Sequence, residues 1–180
     1  MRALFLIWLF AVPCTGFAWQ LALEGGLAAS VRQGSGFAGT ATGWDFGARW
    51  SRRPFVARRR AVDLTVGQFA NNGVANGLLE RGRIATATYE WEWRVPLTYD
   101  LRPWWGVGGG IARIRYDERT QTNARGYAVA FYGPTSETDA TVQTDIGLRL
   151  SRSWSVSLVG ATDWPAHISS ITLTLLWRLL

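Results

Sequence analysis

One short segment near the C-terminus contains the side-chain types of a nucleophilic catalyst. Asp163, His167 and Ser169 lie within seven residues of one another. In such a set the serine oxygen attacks, the imidazole takes its proton and the carboxylate orients the imidazole. Turns between strands are also rich in these residue types. The segment is therefore open to two interpretations, a catalytic group or a polar turn.

The remaining chemistry-bearing residues predict neither a metal nor a cofactor. His167 is the only histidine and Cys14 the only cysteine, so a zinc ligand set is not expected. The glycine run 106–110 lacks the lysine and serine or threonine that follow a phosphate-binding loop. Glu90 and Glu92 share one face of an extended segment, but a carboxylate pair in a filled interior gives no access to a glycoside.

The N-terminus predicts export. Met1 and Arg2 precede an apolar run from Ala3 to Val12, and Gly16-Phe17-Ala18 supplies a small-x-small cleavage pattern. The apolar run is too short for a membrane-spanning helix, which needs roughly 20 residues. We therefore expect a signal peptide at residues 1–18 and a mature domain at 19–180, with Cys14 removed.

An alternation of period two runs through the mature chain and predicts an all-β fold. In residues 83–97 apolar side chains such as Tyr89, Trp91 and Trp93 alternate with Glu90 and Glu92. The same test gives eight strands, at about 19–32, 38–51, 60–69, 82–97, 104–117, 138–151, 153–164 and 169–180. An even count of antiparallel strands is typical of a closed bacterial transmembrane β-barrel, and we read the glycines of the fifth strand as a barrel bend or close strand packing.

Aromatic positions distinguish a membrane barrel from a soluble β-sandwich. Trp154 and Trp164 share a face ten residues apart, which projects to roughly 25 Å at the usual strand rise and tilt, the height of a barrel's apolar band. Five more of the 11 tryptophans lie near predicted strand ends: Trp19, Trp50, Trp104, Trp105 and Trp177. The sequence thus predicts two aromatic girdles, with Leu158 and Leu173 facing lipid and Ser157 and Thr174 facing the lumen.

Charged side chains are assigned by the same alternation to the interior. The predicted acids are Glu24, Asp45, Asp63, Glu90, Glu92, Asp145 and Asp163, and the predicted arginines are Arg32, Arg49, Arg94, Arg113, Arg115, Arg149 and Arg178. An eight-stranded barrel leaves room only for side chains, and buried charges must be paired. We expect a lumen plugged by ion pairs.

The net charge of +6 is carried by 19 arginines, since the chain has no lysine. The only cluster, Arg52-Arg53 and Arg58 to Arg60, flanks Pro54 between two predicted strands. Nucleic-acid binding would need the cations on one face, so no nucleic-acid partner is expected.

Several sequence segments carry a resemblance to small outer-membrane barrels. They are Gly43-Trp44-Asp45-Phe46, Tyr89-Glu90-Trp91, Arg102-Pro103-Trp104-Trp105-Gly106-Val107-Gly108, Asp145-Ile146-Gly147-Leu148-Arg149-Leu150 and the C-terminal Leu173-x-Leu175-x-Trp177-x-Leu179. With these segments the mature chain most resembles the lipid A deacylase (PagL-type) barrels, and more distantly those of the OmpX/Ail kind. The deacylase resemblance implies a His-x-Ser motif late in the barrel with a glutamate after it. His167-Ile168-Ser169 has that spacing but lies several residues late, and no glutamate follows Glu137.

These observations predict a non-enzymatic barrel of the Gram-negative outer membrane with a structural or surface-interaction role. The enzyme alternative is a lipid A ester hydrolase that uses His167 and Ser169, with Asp163 as the orienting acid. A third class, an adhesin or receptor, would bind through the long loop Glu118 to Glu137, in which Tyr127 to Tyr132 is either a binding stretch or an extension of the sixth strand. The expected partners are outer-membrane lipid, lipopolysaccharide and, through the C-terminal strand, the barrel assembly machinery.

Overall fold

The computed structural model describes residues 19–32, 39–52, 58–71, 78–96, 102–117, 119–165 and 168–179. The predicted signal peptide, residues 1–18, lies outside these ranges. The described residues form eleven strands: β1 (Trp19–Arg32), β2 (Gly39–Arg52), β3 (Arg58–Ala70), β4 (Leu78–Leu79), β5 (Arg81–Arg94), β6 (Arg102–Tyr116), β7 (Arg119–Thr122), β8 (Ala128–Tyr132), β9 (Thr135–Arg149), β10 (Trp154–Trp164) and β11 (Ile168–Arg178). Within them no helix is long and apolar enough to cross a membrane.

Eight of these strands close into an antiparallel barrel in the order β1-β11-β10-β9-β6-β5-β3-β2. The first and last strands pair with each other, from Ala22 opposite Arg178 to Arg32 opposite Ile168. Each predicted segment corresponds to one barrel strand, so the predicted fold class is confirmed. The third predicted segment, 60–69, is part of β3, which begins two residues earlier at Arg58.

The barrel has two distinct ends. One end, which we call the turn end, holds the start of β1, the end of β11 and the strand ends that flank residues 53–57, 95–101 and 150–153. The other, the loop end, holds the strand ends that flank residues 33–38, 71–80, 117–134 and 165–167. The two longest of these connections, 71–80 and 117–134, belong to the loop end, and long loops at one end are typical of outer-membrane barrels.

The barrel wall has polar side chains inside and apolar side chains outside, which is the reverse of a soluble protein. In β10 and β11 the inward side chains Ser155, Ser157 and Thr174 are buried, whereas Leu158 and Leu173 lie exposed on the outside. Because successive side chains in a strand point to opposite faces, this follows directly from the alternation in the sequence. The predicted inward and outward faces of these two strands are confirmed.

A small apolar cluster lies in the interior near the loop end. Ile114 and Tyr116 are fully buried, and Phe69, Ile84 and Ile168 pack against them. The Phe69 and Tyr116 rings meet edge to face with centroids 5.9 Å apart, and the Tyr116 hydroxyl donates to a Glu137 carboxylate oxygen at 2.5 Å. The rest of the described interior is lined mainly by polar and charged side chains.

A second, three-stranded sheet lies in the loop-end connections. Its order is β4-β7-β8, and it includes much of the loop that was predicted at Glu118 to Glu137. Tyr127 to Tyr132 is therefore not an extension of the sixth barrel strand, because Ala128–Tyr132 forms β8 and pairs with β7. The sixth barrel strand, β9, begins only at Thr135.

Candidate functional site

The structure separates two members of the predicted catalytic group. Asp163 is buried and faces the lumen, where Thr141 donates a hydrogen bond to it. Ser169 lies directly opposite Thr162 in the β10–β11 ladder, with the two hydroxyl oxygens 3.3 Å apart. Since Thr162 and Asp163 are adjacent in β10, Ser169 and Asp163 point to opposite sides of the wall. His167 lies outside the described residues, so the catalytic interpretation stays a prediction.

The middle of the lumen is organised around one guanidinium group. Arg49, on β2, is fully surrounded, and its Nη2 atom contacts Glu90 and Glu92 of β5. The same nitrogen lies 3.3 Å from an Asp145 oxygen of β9, and Nε lies 3.4 Å from Asp63 of β3. Arg49 thus ties together carboxylates from three strands across the lumen.

Arg59 and Trp104 extend this network toward the turn end. Arg59 forms an ion pair with Glu92 and lies over the Trp104 ring at 5.7 Å from its centroid. Trp104, which is buried, donates its indole hydrogen to Asp145 at 3.0 Å. The indole N–H of Trp104 therefore has a hydrogen-bond partner inside the barrel, as is usual for a buried tryptophan.

The side-chain amide of Gln143 links two carboxylates of the cluster, those of Glu90 and Asp63. The Gln143 side chain donates to Glu90 at 2.7 Å and lies within 3.4 Å of Asp63. Ion pairs and hydrogen bonds to charged groups in a low-dielectric interior are strong, and each loses its compensation if one partner is removed. The network therefore holds charged and polar side chains from several strands together in the middle of the lumen.

Glycines make room for these groups. A Cβ atom on Gly106 would collide with the Asp145 carboxylate, and one on Gly147 would collide with the Trp104 ring. On Gly108 it would meet the Glu90 side chain. The glycine run of the fifth predicted strand is thus confirmed as a region of close packing.

The charges of the central cluster do not balance. Asp63, Glu90, Glu92 and Asp145 surround Arg49 and Arg59, which leaves a formal excess of two negative charges among these six groups. Buried charges need compensation, and Gln143 and Trp104 each donate a hydrogen bond to a carboxylate of this cluster. Glu90, Glu92 and Asp145 each offer a carboxylate oxygen within 4.8 Å of the others, but Arg49 already contacts all three.

The predicted lumen set needs three corrections. Arg113 and Arg115 lie exposed on the outside of β6, because its inward positions are the even-numbered ones, including Ala112 and Ile114. Trp104 consequently points into the lumen and is not part of an outer girdle. Arg59, which the predicted set omits, is buried in the network. The side chain of Arg32 lies outside the described residues.

The remaining predicted lumen residues lie where the alternation put them. Glu24, Asp63, Glu90, Glu92, Asp145, Asp163, Arg49 and Arg178 are buried, and Asp45, Arg94 and Arg149 are half-buried. A cavity of about 140 Å³ occupies the loop-end half of the lumen, where Asp45, Thr65 and Thr172 line it. Its deepest lining residues include Glu24 and Arg49, so the cavity stops at the central cluster.

The loop-end sheet is held to the barrel by Arg119. Its guanidinium lies 4.6 Å from the Tyr116 ring centroid and 5.8 Å from that of Tyr132. It also pairs with Glu80 at 3.8 Å and donates to Thr135 at 2.9 Å. On the sheet so anchored, Tyr127, Val129 and Phe131 are exposed, Phe131 to 78%. The predicted surface stretch therefore presents apolar side chains at the loop end.

The chain matches no protein family and no curated protein in sequence, but solved structures share its fold. Neisserial surface protein A (NspA) is 13% identical, with a TM-score of 0.57 over 91% of this chain and 98% of that one. Ail, the attachment invasion locus protein of Yersinia pestis, is 10% identical in its complex with the heparin analogue sucrose octasulfate, with a TM-score of 0.54 over 89% of this chain and 99% of that one. Another Ail structure is 11% identical, with a TM-score of 0.53 over 89% of this chain and 98% of that one. Structural matches at such low sequence identity establish the fold alone, which is a small eight-stranded barrel like those of outer-membrane proteins. They leave the finer resemblance to the lipid A deacylase barrels a prediction.

Proposed function

We propose that this chain spans the outer membrane of a Gram-negative bacterium as a closed barrel with a structural or surface-interaction role. The observation that carries the proposal is the apolar outer surface of the wall. Large exposed hydrophobic side chains occur on barrel strands all round it: Leu27, Trp44, Phe46, Val66, Trp91, Trp105, Ile111, Val142, Ile146, Leu158, Ile171, Leu173 and Leu175. In water so extensive an apolar surface would drive association, whereas hydrocarbon solvates it.

Aromatic side chains delimit this surface. At the turn end, Trp93 stacks on Trp105 with ring centroids 4.4 Å apart, and Trp154 stacks on Trp177 with centroids 6.1 Å apart. Trp164 is exposed at the loop end. Such rings favour the membrane–water interface, which supports a band of roughly 25 Å between the two ends.

A non-enzymatic role is favoured by the interior and by the surface. The central cluster around Arg49 fills the lumen, so a substrate would find no passage there. At the loop end, by contrast, the anchored sheet presents Tyr127, Val129 and Phe131 outward. Rigid exposed aromatic side chains are common in protein-binding surfaces, and the loop end of an outer-membrane barrel faces the exterior.

The proposed partners are lipids of the outer membrane, lipopolysaccharide and the barrel assembly machinery. The last strand, β11, places Ile171, Leu173, Leu175 and Trp177 at alternating exposed positions. An exposed apolar strand of this kind is what a membrane-embedded assembly factor would pair with. Deletion of residues 177–180 should therefore prevent assembly, whereas deletion of residues 123–126, in the loop between β7 and β8, should not.

Fractionation tests the proposal. The full chain, expressed in a Gram-negative host, should appear in the outer-membrane fraction and migrate differently on gels before and after heating. The chain without residues 177–180 should lose both properties. Recovery of the full chain as a water-soluble monomer would contradict membrane insertion. Heat-modifiable outer-membrane material after the C-terminal deletion would contradict the role of β11.

A further inference from the structure

Four arginines lie on the outside of the barrel wall near the loop end. They are Arg81 and Arg83 on β5 and Arg113 and Arg115 on β6, and all four are exposed. The two strands are direct neighbours. The four side chains therefore form one patch, which we call the arginine patch.

The register places like charges side by side. Arg83 is directly opposite Arg115, and Arg113 lies opposite Ala85, one step further along the same face. Opposed side chains in a ladder have Cβ atoms about 5 Å apart, and like charges there are destabilising. A counter-ion held between them would remove that repulsion.

The described part of the chain supplies no carboxylate for this purpose. None of the four arginines forms an ion pair with a described residue. Asp117 follows on the same face of β6, but the contact that joins it to Arg81 is between backbone atoms, from its N–H to the Arg81 carbonyl at 2.8 Å. Among the described residues, the patch thus carries four cations against one nearby acid, Asp117.

The patch lies near the loop-end edge of the apolar band. Arg113 and Arg115 follow Trp105, a member of the turn-end aromatic stack, by eight and ten residues on the same outward face. At the usual strand rise and tilt these separations project to about 20 and 25 Å along the barrel axis. The guanidinium groups therefore lie at the far edge of the apolar band, where lipid headgroups begin.

Apolar side chains lie directly beneath the arginines. Ile111 is paired with Ala87 on one side and with Ala140 on the other. Ile111 is exposed, and Ala140 is exposed on the same outward face. A ligand on the arginine patch therefore has an apolar surface next to it, toward the middle of the band.

The patch is confined to one side of the barrel. Outward residues near the loop end of other strands are neutral, for example Thr42 of β2 and Thr162 of β10. On β9, the neighbour of β6, Thr138 and Ser136 lie opposite Arg113 and Arg115 and are exposed hydroxyl donors. Cations and hydroxyls thus converge at one position and do not form a uniform belt.

We propose that the arginine patch binds the phosphate groups of a phosphorylated glycolipid of the lipid A class, with its acyl chains against Ile111 and Ala140. The guanidinium fork matches phosphate oxygens in pairs, and such charge-assisted hydrogen bonds are the strong ones. A lipid fits the observations better than a soluble anion because the side chains point outward from the wall, above an apolar surface. This inference rests on the membrane insertion proposed above and names the lipid that the wall selects.

Native mass spectrometry of the folded mature barrel tests the proposal. The protein, in neutral detergent with phosphatidylcholine, is titrated with bisphosphorylated lipid A or with the same lipid after removal of its phosphates. The wild type should retain the phosphorylated form at least about tenfold more tightly, the difference that one or two charge-assisted contacts give. Arg83→Gln with Arg115→Gln should abolish that preference.

The matched control removes equal charge elsewhere on the wall. Arg58 and Arg60 are also exposed on the outside, at the turn end of β3, so Arg58→Gln with Arg60→Gln should retain the preference. If the first double variant fails to fold, Arg81→Gln with Arg113→Gln takes its place. Heat-modifiable migration verifies folding in each case.

Three outcomes would overturn the proposal: equal retention of the two lipids by the wild type, equal losses in the patch and control variants, or full displacement of lipid A by millimolar inorganic phosphate or sucrose octasulfate. The last outcome would show a site for soluble anions. A barrel that does not insert into membranes at all contradicts the proposed function, whereas an inserted barrel with no lipid preference contradicts only the arginine patch.

Discussion

Ser157 and Leu158 are neighbours in β10, yet Ser157 is 2% exposed inside the lumen and Leu158 is 49% exposed on the outer wall. Leu158 pairs with Leu173 on one side and with Ile146 on the other. Its side chain therefore lies in a continuous apolar row, well away from both aromatic ends of β10.

Leu158→Arg should lower the free energy of unfolding in lipid by about 2 to 4 kcal/mol, the cost of arginine on the lipid face near mid-membrane. Ser157→Ala is the control, since the Ser157 hydroxyl has no hydrogen-bond partner among the described residues and its loss should cost about 0.5 kcal/mol or less. Urea titration of the barrel folded into liposomes measures both. A neutral Leu158→Arg would show that this face does not contact hydrocarbon.

Arg49→Met removes the cation that joins carboxylates from three strands. The remaining buried charges lose their compensation, so the variant should be destabilised by about 3 to 5 kcal/mol. The control is Arg60→Gln on the exposed outer face of β3, which should change stability by about 0.5 kcal/mol or less. The same urea titration compares the two, and similar values would contradict the central role of Arg49.

Gly147→Ala tests the packing of Trp104. The added Cβ would collide with the indole ring, so we expect a loss of about 1 to 3 kcal/mol together with a changed tryptophan emission spectrum. Gly160→Ala is the matched substitution, because the nearest atom to its Cβ is the Thr144 hydroxyl oxygen at 3.5 Å. That variant should be neutral or more stable by up to about 1 kcal/mol.

Purified barrel in planar lipid bilayers should show no stable single-channel conductance. The cavity at the loop end reaches Glu24 and Arg49, and the ion pairs of Arg49 and Arg59 and the Trp104 indole lie beyond it. Current recordings across a range of voltages test this expectation. Large, regular opening steps from the wild-type protein would refute a plugged lumen.

Expression of the chain should leave the mass of the host's lipid A unchanged. Ser169 and Asp163 point to opposite sides of the wall, whereas a catalytic histidine must contact both the serine and its orienting acid. Mass spectrometry of extracted lipid A gives the answer. A loss of one acyl chain that requires both His167 and Ser169, as shown by His167→Ala and Ser169→Ala, would establish the ester hydrolase alternative.

The eight barrel strands could be predicted because each must keep one face apolar and the other polar over ten or more residues. That constraint fails where side chains are missing. In β6 the glycines at 106, 108, 109 and 110 leave no pattern between the adjacent Trp104 and Trp105, either of which could face outward. Alternation alone therefore assigns the wrong set of β6 side chains to the lumen, and it places Arg113 and Arg115 inside.

Other features depend on three-dimensional relationships that the local pattern does not contain. Arg59 belongs to an arginine run that the sequence pattern assigns to the connection before β3. In the structure β3 begins earlier, at Arg58, and the Arg59 side chain therefore points into the lumen. The partners of Arg49 come from three strands, so their identity depends on strand tilt and register. The strands of the loop-end sheet are only two to five residues long, too short for a reliable alternation.

The pairing of β1 with β11 also constrains the order in which the molecule can be built. The wall is complete only when the strand containing Leu173 and Trp177 has joined the strand containing Leu23 and Leu27, so the last strand of the barrel closes a ladder with the first. A chain dominated by such distant contacts folds slowly. Until closure, both edge strands expose unpaired backbone groups. The proposed membrane insertion therefore requires that the chain be kept unfolded and protected from aggregation until β1 and β11 meet.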